Sequence, residues 1–140
     1  MINQIENPDS TSLYTLQLPS SINSITLLEN FIDELSIKYG FSEEIYANVL
    51  TCLSEAVING IVHGNRQSPE KNVFINLEQR VENRLIFTIC DEGEGFDFNN
   101  LPNPTATENL RGRGVFIIKK LANQCIFSSK GNEVEIHFEI

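Results

Sequence analysis

The sequence predicts an α+β fold, a two-layer sandwich in which three main helices cover one face of a mixed, mostly antiparallel sheet. Apolar residues recur at helical spacing twice in succession, first as Ile22, Ile25, Leu28, Phe31, Ile32 and Leu35, then as Ile45, Val49, Cys52, Leu53, Ala56 and Gly60. The period then changes to alternation at Val73, Ile75 and Leu77, and returns to helical spacing only in the last third of the chain. No segment repeats. A chain of 140 residues suits one domain that buries about two-thirds of its surface, so the core needs no metal or disulfide as a staple.

Residues 1–11 are polar and are expected to be loosely ordered, which leaves 12–140 as the single domain. Residues 13–18 alternate as a strand does. Pro19, Ser20 and Ser21 offer a helix start, and Gly40 closes that helix. Ser42 is placed to cap the second helix and Glu43 and Glu44 suit its positive end. This helix is expected to run to about Gly64 and to end there with a positive backbone angle. Strands over 73–77 and 85–90, with a turn at Glu82 and Asn83, make an antiparallel pair. Residues 91–111, rich in Gly, Asn, Pro and Thr, read as a long loop, a length that is usually functional in a compact domain. A third helix spans about 114–122, and residues 124–129 and 133–140 form a closing hairpin around Lys130, Gly131 and Asn132.

The net charge of −9 and pI near 4.6 argue against nucleic-acid binding, because phosphate backbones require a basic surface. Of ten basic residues, Arg111, Arg113, Lys119 and Lys120 nevertheless share one short window, which concentrates positive charge locally. Lys119 and Lys120 are equally at home in a solvated late helical turn. Cys52, Cys90 and Cys125 are odd in number and sit in apolar runs, so they read as buried free thiols in a reducing compartment. The first ten residues lack a leader pattern, and no apolar stretch approaches the roughly 20 residues of a membrane span. The expected location is therefore the cytoplasm, with no membrane contact.

Three short segments carry the chemistry. In SEAVINGIVHGN, Glu55 and Asn59 are four residues apart and so lie about 40° apart on the second helix, beside its apolar stripe. Magnesium takes oxygen ligands and needs few protein groups when phosphates supply the rest, so Asn59 suits a ligand through its amide oxygen. Glu55, one turn away, suits a general base that takes a proton from an attacking hydroxyl or water. By itself the pair is also consistent with the polar border of an ordinary amphipathic helix. His63, about 80° further round, reads better as a packed histidine near a helix end than as a catalytic one.

The second segment, DEGEGFD, begins where a strand ends. Asp91 would be held at the edge of the core, where a carboxylate needs good donors, and the exocyclic amino group of adenine is one. Gly93 and Gly95 allow a sharp turn and the close approach of a flat ring, although the same residues also make an ordinary acidic turn. The acidic spacing of an EF-hand is absent. In the third segment, Gly112 and Gly114 open a helix, where backbone amides and the dipole favour phosphate, and Arg111 and Arg113 flank them in reach of a terminal phosphate. Neither the common phosphate-loop pattern nor the dinucleotide fingerprint occurs.

EAVINGIVHGN, DEGEGF and GRGVFIIKKLA resemble the N, G1 and G2 boxes of the GHKL-type ATPases, and the chain most resembles the bacterial anti-sigma-factor serine kinases, over about residues 12–140. The resemblance implies a Bergerat-type fold that binds ATP and Mg2+. It makes Glu55 the catalytic base, Asn59 the magnesium ligand, Asp91 the adenine contact, Gly93 and Gly95 the adenine-side turn, and Gly112 and Gly114 the phosphate cradle. Arg113 would assist catalysis, and residues 96–111 would form a lid. It further implies a homodimer that holds a sigma factor and phosphorylates a serine of that factor's antagonist. One departure stands out. The family's usual Gly-Thr pair in the last hairpin is replaced by Gly131, Asn132 and Glu133. Sensor kinases need a separate phosphoacceptor helix, and gyrase-like or chaperone-like relatives a second domain, so neither is expected. A nucleotide-dependent binding module without phosphate transfer is the alternative.

Overall fold

The computed structural model describes residues 2–6, 12–81, 83–101, 110–128 and 130–140. Its elements in chain order are strands β1 (Ile2–Glu6) and β2 (Ser12–Pro19), helices α1 (Ser24–Tyr39) and α2 (Glu43–Ile58), a π-helical turn (Asn59–Gly64), strands β3 (Asn72–Val81) and β4 (Arg84–Cys90), helix α3 (Leu110–Leu121), and strands β5 (Gln124–Phe127) and β6 (Glu133–Glu139). The strands form one sheet in the order β1-β2-β3-β4-β6-β5.

The α+β sandwich is as predicted, with two adjustments to the sheet. Every described pairing is antiparallel, so the sheet is not mixed. The crossover through α3 joins β4 and β5, which run the same way, but β6 lies between them. The second adjustment concerns the N-terminus. Where the sequence predicts a loose segment, Ile2–Glu6 pairs with β2, because the outer edge of β2 offers unpaired backbone groups that an adjoining segment satisfies.

The core lies between the sheet and the helices. Leu16 and Leu18 of β2, Val73, Ile75 and Leu77 of β3, Leu85, Phe87 and Ile89 of β4, and Ile136 and Phe138 of β6 point inward from alternate positions. They meet Leu28, Phe31, Ile32 and Leu35 of α1 and Val49, Cys52, Leu53, Ala56 and Val57 of α2. The helix ends follow local chemistry. Gly40, at φ 64°, donates its N–H to the Ser36 carbonyl and closes α1, while the Ser42 hydroxyl accepts the Ile45 N–H at 3.1 Å and opens α2.

Three further expectations change. Gly64 does not end its helix with a positive φ; the left-handed residues are Arg66 (φ 51°) and Gln67 (φ 54°), just beyond the π turn. Helix α3 begins at Leu110, so Gly112 and Gly114 lie inside it rather than ahead of it. Burial of both glycines overrides their poor helix propensity. Finally, Glu43–Gly64 is long and apolar enough to cross a bilayer, at a mean hydropathy of 1.5, although the sequence reading finds no such stretch. In this fold it is the central core helix, packed against α1 and α3, and it carries Glu43, Glu44 and Glu55. The Glu82 half of the predicted turn and residues 102–109 of the predicted lid lie outside the described residues. Cys52 is buried as expected, whereas Cys90 and Cys125 are half-buried, and all three are free thiols.

Candidate nucleotide site

The π turn sets the site's position. Asn65 donates its backbone N–H to the Gly60 carbonyl at 2.7 Å, which widens the end of α2, and the chain there packs against the end of β4. A Cβ on Gly64 would fall 2.5 Å and 2.6 Å from the two Asp91 carboxylate oxygens, so this contact requires glycine. The following Asn65 is 1% exposed and ties four segments together. Its Nδ2 donates to the Ser20 hydroxyl and the Asn72 carbonyl, both at 2.9 Å, and its Oδ1 accepts the Glu92 N–H at 2.7 Å.

Asp91 is buried, at 8% exposed. Its Oδ1 accepts the Gly93 N–H at 2.8 Å. Burial pushes the Asp91 carboxyl above the usual range, against the Gly93 hydrogen bond and the charges of Arg111, Lys130 and Lys71, which pull it down. Asn132 crosses to the same place, donating from Nδ2 to the Asp91 carbonyl at 3.2 Å, while the Asp91 N–H reaches the Asn132 carbonyl at 3.0 Å. Around these groups lies a largely apolar cavity, walled by Ala56, Gly60, Ile89, Phe96, Ile118 and Val134, with Asn59 and Arg111 at its margin. A flat aromatic base with one edge donor fits this chemistry.

A second cavity adjoins it, lined by Glu55, Asn59, Val62, His63, Arg113, Gly114 and Ile117. Here α2 and α3 touch. A Cβ on Gly114 would lie 2.7 Å from Glu55 Oε2 and 3.2 Å from the Asn59 amide nitrogen, so the carboxylate and the amide face one point on α3. Among the described residues no three His, Cys, Asp or Glu side chains cluster as a metal site. The donor set is thus one carboxylate and one amide oxygen, which fits magnesium held largely by phosphates and does not fit a cage built by the protein alone.

The sequence-predicted residues do not all converge. Glu55, Asn59, Arg113 and Gly114 share the second cavity, and Asp91 lies in the first. Arg111 turns away from Arg113. Its guanidinium sits 3.8 Å from the centroid of the Phe96 ring, with a buried Nε that has no hydrogen-bond partner, and burial lowers its pKa. Gly93 and Gly95 line a third cleft, and Gly112 is buried and lines none of these cavities. His63, expected as a packed residue, is on the wall of two clefts. Burial, and then the charge of Arg111, lowers its pKa and so favours the neutral imidazole.

Sequence reasoning missed the aromatic floor. Phe96 meets Phe127 edge-on at 5.4 Å, and Phe98 stacks on Phe127 at 5.2 Å. Phe96 lies inside the second segment and is a visible signal; Phe127 becomes one only when β5 folds beside the loop.

The family model for histidine kinase-like ATPase domains matches residues 18–138, which includes every residue of both cavities. Serine-protein kinase RsbW of Staphylococcus epidermidis is similar, at 24% identity over 118 residues, spanning 78% of this chain and 74% of its own. The protein of two strains of that organism matches with the same figures. An α+β sandwich with a largely apolar cavity at the end of β4, and with Glu55 of α2 and Asn59 of the π turn facing α3, agrees with the family match, and the chain belongs to the histidine kinase-like ATPase domain family.

Proposed function

We propose that this chain is a Mg-ATP-dependent protein serine/threonine kinase that acts as an anti-sigma factor in the cytoplasm. It phosphorylates a serine of an antagonist protein and so keeps that antagonist from releasing the sigma factor. The observation that carries the reading is the convergence of Glu55 and Asn59 on Gly114, beside Arg113 and next to the Asp91 cavity. The name of the similar staphylococcal proteins supports phosphate transfer to serine.

Each residue has a part in that reading. Asp91 accepts the amino group of adenine, and the apolar walls and Phe96 exclude water from the base. Asn59 contributes an amide oxygen to magnesium, which when bound neutralises phosphate charge. Glu55 takes the proton of the serine hydroxyl as its oxygen bonds to the terminal phosphorus and the bond to the bridging oxygen breaks. Arg113 offsets the charge that develops on the transferred group. The sigma factor, the antagonist and a homodimeric state come from the likeness to anti-sigma-factor kinases.

The test is transfer of labelled phosphate from Mg-ATP to candidate antagonist proteins. Asn59→Ala is expected to lose metal-dependent nucleotide binding. Glu55→Ala should keep binding and lose transfer by about 10²–10⁴-fold. Undiminished transfer by Glu55→Ala removes that residue from the mechanism. ATP binding without transfer to any antagonist favours the alternative, a module that sequesters a regulator without catalysis.

A further inference from the structure

We propose that the cleft between the π turn and the 91–95 loop is an oxyanion-binding site, built by His63, Arg66, Lys71 and Arg111, that takes a phosphate group. It adjoins the proposed nucleotide site, with which it shares Arg111, Gly93 and Gly95, and adds His63, Arg66 and Lys71 as phosphate donors.

The cleft is lined by His63, Gly64, Arg66, Lys71, Gly93, Glu94, Gly95 and Arg111. A chain with a net charge of −9 and ten basic residues thus brings three of them, and one of its two histidines, to one small space. Glu94 is the one carboxylate on that wall, and it is exposed. Among the described residues Arg66, Lys71 and Arg111 make no ion pair, whereas Arg80 and Arg84 are each paired with a glutamate. Arg66 and Lys71 are exposed, so water screens their repulsion, and an anion seated between them and Arg111 is attracted by all three charges.

The frame of the cleft is fixed before any ligand arrives. Arg66 occupies a left-handed backbone region that few non-glycine residues adopt. The Gln67 N–H on the Ile61 carbonyl at 2.8 Å and the buried Asn65 hold it there. The Ser20 hydroxyl, donating to the Lys71 carbonyl at 2.6 Å, anchors the other side. Arg111 brings a buried Nε with no partner, and only Asp91, behind Gly64 and Gly93, partly balances its charge. A tetrahedral oxyanion has enough acceptor oxygens to engage guanidinium, ammonium and imidazole donors together. It could arrive as free inorganic phosphate or as part of a bound nucleotide, and the chemistry of recognition is the same.

Histidine resonances report on this site, since His137, the other histidine, lies on β6 facing away from the helices. The test titrates histidine-labelled protein with sodium phosphate against chloride at equal ionic strength, following both imidazoles by NMR. His63 is expected to shift saturably and its titration midpoint to rise, because a dianion opposes the burial and the Arg111 charge that depress it; His137 should not move. An Arg66→Gln, Lys71→Gln double variant, checked to melt like the wild type, should weaken the His63 response about tenfold or more. Unchanged ATP affinity in that variant assigns the site to free phosphate, and a parallel fall assigns it to a phosphate of the nucleotide. Silence of His63 towards phosphate, or an identical response in the double variant, overturns the proposal. ATP binding measured separately shows whether the nucleotide reading survives that failure.

Discussion

Asp91 is the residue in which stability and binding oppose each other most directly. Its carboxylate is buried with one backbone N–H on Oδ1 and no ion pair among the described residues, and burial raises its pKa. A carboxyl whose folded pKa is raised stabilises the fold when protonated, and that contribution is lost as pH rises from its ordinary value through the raised one. In the proposed reading nucleotide binding has the opposite sign, because the ionised carboxylate is the stronger acceptor for the amino group of adenine. Affinity for ATP is therefore expected to fall as pH drops through the raised pKa, with Asp91→Asn binding more weakly at pH 7 and without that pH dependence. The same variant should melt no lower than the wild type. Calorimetric titration at several pH values together with thermal melts checks both halves, and a variant that binds normally or melts well below the wild type contradicts the assignment.

At the scale of elements, the site depends on how α2 ends. The π turn and Asn65 set α2 against β4, and Asn65 also joins Ser20 and Asn72. Asn65→Ala leaves the Glu92 N–H and the Asn72 carbonyl without this buried partner, and should cost about 2–4 kcal/mol in a denaturant melt. A loss under about 0.5 kcal/mol, the range of an ordinary surface change, would contradict this role. The elements also differ in how legible they are. Ser42, Glu43, Glu44 and the stripe from Val49 to Ala56 announce α2 locally, and the structure places them as read. The start of α3 was hidden because Gly112 and Gly114 resemble a loop until α2 is there to bury them. Strand β1 has no local signature to weigh against its polar surroundings, since its partner is the edge of β2. Asn65 and Arg66 read as loop polars because their roles rest on contacts with distant segments and on backbone angles.

At the scale of the whole molecule, the sheet order brings three sequence-distant segments to one side of the sheet. Because β4 and β6 are neighbours, the end of β4 with Asp91 meets the start of β6 with Asn132. Because α3 packs on α2, Arg113 and Gly114 meet Glu55 and Asn59. The motifs were readable as a set, but their division was not. Only the fold shows that Arg111 lies over Phe96 beside the Asp91 cavity while Arg113 lines the cavity of Glu55 and Asn59. Calorimetric titration with Mg-ATP, paired with a thermal melt, tests this convergence most directly. A saturable heat is expected, and at an ATP concentration about 100 times the dissociation constant the fold should gain about 2.7 kcal/mol, a rise of roughly 8–10 °C in Tm. No heat and no shift at millimolar Mg-ATP would contradict the account.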